Sequence, residues 1–154
     1  MPKRLNKAGN ERSEQVNGPI PQGRPECVPV SQLRPNPQNP KLHNRHQIRV
    51  LARSMRQLGY ISPIVVDKSG MIVAGHLRFE ALLKLGVAEV WVVRLDHLTE
   101  AQVKAFMIAD NKLAEMSEFD EQKLALLLQE LYQVNLDVVA DSTGFEMADR
   151  KSVV

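Results

Sequence analysis

Residues 72–81 read Ile72-Val73-Ala74-Gly75-His76-Leu77-Arg78-Phe79-Glu80-Ala81, an apolar β-prone run that passes into a helical pattern through a single glycine. No other stretch limits the fold as strongly. A strand that feeds a helix through one residue must turn sharply there, and glycine makes that turn without steric cost and lets a ligand approach the backbone. The first amides of the new helix have no partner inside it, and the helix dipole makes that end favourable for anions. His76 and Arg78 stand in this first turn. A guanidinium can fork onto phosphate oxygens, and an imidazole can donate one hydrogen bond. The same pattern also suits a purely structural strand–helix corner with an exposed arginine.

The segments around this corner follow from local pattern. Residues 1–26 are polar and dotted with Pro2, Gly9, Gly18, Pro19, Pro21, Gly23 and Pro25, as expected of a flexible basic arm. A strand is predicted from Val28 to Leu33, followed by Pro35-Asn36-Pro37-Gln38-Asn39-Pro40, whose prolines exclude helix. Ile48, Leu51, Met55 and Leu58 recur at helical spacing over Arg45–Leu58, with Gly59 to end the helix. Two β-rich runs, Ile64–Asp67 and Met71–Ala74, flank Lys68-Ser69-Gly70 as a hairpin. A helix from His76 to Leu85 closes at Gly86, and the apolar run Val90–Leu95 predicts a strand covered on both faces. Thr99 with Gln102 three residues on is a capping box opening a helix to about Asp110. A last helix, near Asp120 to Val134, carries Leu124, Leu127, Leu128 and Leu131 on one stripe. The expected fold class is α+β, a small mixed β-sheet flanked by helices. The core spans residues 27–97, a C-terminal helical segment 98–136 and a weakly patterned tail 137–154.

Charge narrows the ligand. The net charge of +2 divides into +3 over residues 1–24, +6 over 25–94 and −7 over 95–154. A basic first part tolerates polyanions and an acidic end repels them. A single cysteine, Cys27, forms neither an internal disulfide nor a multi-cysteine zinc site, as expected of a cytosolic chain. No apolar run approaches the roughly 20 residues of a membrane span, and the first residues lack the apolar stretch of a secretory signal. The reading is a soluble, cytoplasmic protein. His43, His46, His76 and His97 show no zinc spacing, and His43 and His46 read as surface residues.

Two further groups are candidates. Val103, Phe106 and Met107 form a helical stripe that Asp110 continues, beside Asn111. An acid on an apolar stripe needs a partner or water. Alternatively Asp110 and Asn111 mark the end of the helix. Arg45, Arg49, Arg53 and Arg56, at spacings of four, four and three, share one helix face. With Lys3, Arg4, Lys7 and Arg12 of the arm they suit nonspecific contact with DNA phosphates, or form a solvated face opposite the core stripe. No helix-turn-helix is evident. The leucine stripe of the last helix suits core packing or a two-fold dimer.

Three ordered runs carry a resemblance: Val30-Ser31-Gln32-Leu33-Arg34-Pro35-Asn36-Pro37, Leu58-Gly59-Tyr60-Ile61-Ser62-Pro63-Ile64-Val65-Val66, and Gly75-His76-Leu77-Arg78-Phe79-Glu80-Ala81. Over roughly residues 26–134 the chain resembles the N-terminal domain of ParB-like proteins, of the ParB/sulfiredoxin fold. With Leu98–Gln102 and Ala109–Ala114 it is most similar to short phage and mobile-element members that accompany DNA methyltransferases. The resemblance implies CTP or another nucleoside triphosphate, such as ATP, held at Gly75, His76 and Arg78, with Mg²⁺ at Asp110 and Asn111. His76 replaces the family's Glu, Leu77 an Arg, and Ala114 the Arg that ends the second box. In sulfiredoxins a catalytic Cys stands where His76 is, so sulfiredoxin activity is not expected. Three functions are weighed: a nucleotide-binding domain that turns over slowly if at all and engages DNA, a metal-dependent nuclease, and a non-catalytic DNA-binding adaptor. The expected partners are nucleotide, DNA, a DNA methyltransferase and a second copy of the chain.

Overall fold

The computed structural model describes residues 18–134 and 142–145. In chain order the elements are β1 (Arg24–Pro29), a 3₁₀ turn (Val30–Gln32), α1 (Arg45–Leu58), β2 (Ile64–Val66), β3 (Ile72–Ala74), α2 (His76–Leu85), β4 (Glu89–Arg94), α3 (Glu100–Glu115) and α4 (Glu121–Val134). Asp67 builds the turn between β2 and β3: its Oδ1 accepts from the Ser69 amide (2.8 Å), the Ser69 hydroxyl (2.8 Å) and the Met71 amide (3.0 Å). The predicted hairpin of β2 and β3 forms around it, antiparallel. After β3 the chain crosses over through α2, so β4 returns parallel to β2, and β1 closes the far side antiparallel to β4. The result is a mixed four-stranded sheet in the order β1-β4-β2-β3, the α+β class expected.

Strand alternation divides the core between the two faces. On one face Ile64, Val66, Ile72, Val90 and Val92 meet Phe79 and Leu82 of α2, with Met55 of α1 packed behind. On the other, Val65, Val73 and Leu95 meet Val103, Phe106 and Met107 of α3. Leu128 and Tyr132 of α4 bury against Leu124 and Phe145.

Several expectations need correction. β1 begins at Arg24, inside the stretch read as arm, and ends where the Val28–Leu33 strand was expected to be under way. Its backbone partner is β4 over its whole length, with Glu26 accepting from Arg94 Nε at 2.7 Å and Arg24 Nε bonding Asp96, just past β4, at 2.9 Å. As an edge strand it tolerates Pro25 and Pro29. β4 is not covered on both faces, because α3 lies over the β3 side and leaves Trp91 58% exposed. α3 runs five residues beyond Asp110. The leucine stripe of α4 splits, with Leu128 buried and Leu127 and Leu131 exposed. Lys3, Arg4, Lys7 and Arg12, and most of the predicted tail, lie outside the described residues. Among the described residues no helix is long and apolar enough to cross a membrane.

One side chain ties the parallel pair together where it starts. Tyr60 Oη donates to the Trp91 carbonyl (2.7 Å) and accepts from the Ile64 amide (2.7 Å). Tyr60→Phe leaves both backbone groups unpaired and should cost about 1–2 kcal/mol. Urea unfolding should show a lower midpoint at unchanged slope; an unchanged midpoint would mean that the hydroxyl does not tie β2 to β4.

Candidate functional site

Gly75 joins β3 to α2 in the left-handed conformation, φ 99° and ψ 27°. The corner also differs from the other helix starts. α1 opens with a capping box of Asn44 and Gln47, α3 with one of Thr99 and Gln102, and Asp120 Oδ1 accepts the Lys123 amide at the start of α4. α2 has no side-chain cap. Its first intrahelical bond runs from the Phe79 amide to the Gly75 carbonyl (2.9 Å). The amides of His76, Leu77 and Arg78 precede it, so α2 presents its positive end uncapped.

These amides border a cleft of about 170 Å³ lined from three elements: Asn39, Lys41 and His43 of the proline loop; residues Val73 to Arg78 of the corner; and Asp110 and Asn111 of α3. The two sequence candidates, Gly75/His76/Arg78 and Asp110/Asn111, thus share one site. The proline loop reaches it through backbone pairing. Arg34 bridges alongside Met71, its amide on the Gly70 carbonyl (3.1 Å) and its carbonyl accepting the Ile72 amide (2.8 Å). Asn36 then donates its amide to His76 Nε2 (3.1 Å), and its Nδ2 lies 3.6 Å from Met107 Sδ. Asn39 Oδ1 accepts the Lys41 amide at 3.2 Å. Lys41 Nζ bonds Glu115 Oε1 at 3.0 Å, linking the loop to the last turn of α3.

The side chains supply donors. Arg78 Nη2 bonds the Pro63 carbonyl (3.0 Å), while its Nε is buried without a partner. A Cβ at position 75 would fall 2.9 Å from Arg78 Nη2 and 3.1 Å from Nε, so the guanidinium lies across the bare corner. His76 Nε2 accepts a backbone amide, which places the proton of the neutral ring on Nδ1 and makes that nitrogen a donor. Burial, reinforced by neighbouring His43, holds the His76 imidazole below the usual histidine range. Burial and the charge of Lys41 lower His43 in the same way, against an opposing pull from Glu80.

Asp110 is an exposed mid-helix carboxylate and not a helix end. Asn111 Nδ2 donates to the Met107 carbonyl (2.9 Å), which leaves its Oδ1 as an acceptor. Beside Arg78 an apolar hollow lined by Leu51, Met55, Leu58 and Ile61 shares Leu77 and Arg78 with the cleft. Arg45, Arg49, Arg53 and Arg56 are exposed on α1 and line no part of the cleft, and Cys27 lies on β1 opposite Trp91. Sequence reading missed Asn39, Lys41 and His43, and His43 in particular is half-buried in the cleft and not a surface residue. The available signal was the recurrence of asparagine at 36, 39 and 44, residues that fix turns and caps by local side-chain bonds.

The model of the ParB N-terminal domain matches residues 11–111. The chain belongs to the ParB N-terminal domain family. It is 35% identical over 74 residues to the ParB-like nuclease domain-containing protein YnaK of Escherichia coli, covering 48% of this chain and 85% of that protein. It is 26% identical over 144 residues to a nucleoid occlusion protein of Listeria monocytogenes, covering 88% of this chain but 50% of that longer protein. The fold matches C-terminally truncated chromosome-partitioning protein ParB of Caulobacter crescentus, solved with CTP-γ-S, at a TM-score of 0.69 and 23% identity over 85% of this chain and 77% of that one.

Gly75→Ala tests the corner. A side chain at a left-handed φ costs about 1–3 kcal/mol, and the added Cβ would force Arg78 aside. Thermal unfolding should shift down, and the Arg78 guanidinium should lose its bond to Pro63. An alanine variant as stable as the parent would contradict the described corner.

Proposed function

We propose that this ParB N-terminal domain binds a nucleoside triphosphate, CTP or ATP, with Mg²⁺ in the cleft at Gly75. The observation that carries the reading is the convergence of three anion-seeking features on one space: the uncapped start of α2, the Arg78 guanidinium with its unpartnered Nε, and the Nδ1 donor of His76. Phosphate oxygens would satisfy all three. The apolar hollow past Arg78 has room for a base next to the phosphate seat.

The residues fit the ion as well. Asp110 offers one carboxylate and Asn111 one amide oxygen, enough for a magnesium ion that takes its remaining ligands from phosphates and water. Among the described residues no group of three His, Cys, Asp or Glu forms an all-protein metal cage. Among the described residues that line the cleft, the groups bind and orient the phosphates. The reading is nucleotide binding, with slow turnover at most, ahead of nuclease action.

DNA is the second partner of this reading. The exposed arginines of α1 form a face away from the cleft that would meet a phosphate backbone. The exposed Leu127 and Leu131 on α4 would meet a second copy of the chain. The Gly75-His76-Leu77-Arg78 corner and the Leu98–Gln102 and Ala109–Ala114 segments favour a family member of the phage or mobile-element type found beside DNA methyltransferases.

Titration with labelled CTP and ATP, with and without Mg²⁺, tests the site. Arg78→Ala removes a charge-assisted contact and should weaken binding by about 10- to 100-fold, and omission of Mg²⁺ should weaken the parent. Equal affinity of parent and variant would remove the site.

A further inference from the structure

His43 is the one imidazole of the cleft that the proposed binding mode leaves without a task. It enters from the proline loop directly before Asn44, which caps α1, and its Nδ1 is buried without a hydrogen-bond partner. A buried polar atom left unpaired is costly, and an arriving ligand atom would relieve that cost. The surrounding charges are Lys41 from its own loop and His76 and Glu80 from α2, with Arg78 and Asp110 on the other walls of the cleft. The two imidazoles differ in one respect. His76 must keep Nε2 bare to accept the Asn36 amide, so a proton there would break a bond that holds the loop. No such bond restrains His43 Nδ1.

We propose that His43 is a polyphosphate-binding residue of the cleft, and that it takes up a proton from solvent as the anion binds, so that its Nδ1–H donates to a phosphate oxygen. This rests on the nucleotide reading of the same cleft. No covalent bond forms or breaks; one proton moves from buffer to the imidazole. In the free protein burial and Lys41 keep the ring neutral near neutral pH. A bound polyanion stabilises the charged form and raises the pKa. Between the two values binding carries a proton, so affinity rises as pH falls through that window. Below the free-state value the ring is charged in both states and the gain stops.

Calorimetric titration of the full chain with CTP and with inorganic tripolyphosphate, at about pH 7 in two buffers of unlike ionisation heat, reads proton uptake directly. The parent should take up a substantial fraction of one proton per ligand bound. His43→Gln should bind about three- to ten-fold more weakly and lose that uptake. Binding by the parent without uptake would overturn the proposal with no variant needed, as would undiminished uptake in folded His43→Gln. No binding of either compound would remove this inference together with the nucleotide reading.

Discussion

Position 75 carries no side chain, and the geometry of the proposed anion site depends on that absence. A methyl group there would sit 2.9 Å from Arg78 Nη2, inside any real contact distance. The left-handed turn also lets β3 run straight into α2, so the helix dipole, three amides and a guanidinium converge within one turn. α1, α3 and α4 each begin under a side-chain cap. α2 begins bare, where a cap would occupy the space that the other groups face.

The corner alone would be an open ledge. It becomes a cleft because the chain's earlier half is laid against it. Arg34 bridges beside β3, and Asn36 then meets His76. α3 supplies the opposite wall, fixed by Met107 and its neighbours against Val73 and Leu95. The ion pair of Lys41 with Glu115 spans loop and helix. It is exposed and contributes little stability, but it joins two walls of the cleft. The shape of the cleft is thereby tied to the relative placement of the loop, α2 and α3.

Much of this was legible in the sequence where the signal was local. The Lys68–Gly70 turn, the Thr99/Gln102 box and the limits of α2 at Gly75 and Gly86 are each written within a few residues, and each stands where it was expected. What the sequence did not disclose depends on distant partners. β1 starts at Arg24 because β4 supplies its hydrogen bonds and Arg94 pairs Glu26. Trp91 is exposed because α3 covers the other half of the sheet. His43 reached the cleft through the Arg34 bridge and the Asn36–His76 bond, which no spacing within the loop encodes. The Gly75 and Asp110 candidates were each visible alone, and folding supplied their meeting.

Nucleotide binding at the Gly75 corner is tested by following backbone amides in ¹H–¹⁵N NMR while CTP and Mg²⁺ are added. The amides of His76, Leu77 and Arg78 should show the largest shifts, with Lys41, His43 and Asp110 next and the outer strand β1 unmoved. Shifts confined to the arginine face of α1, with the Gly75 corner silent, would contradict it.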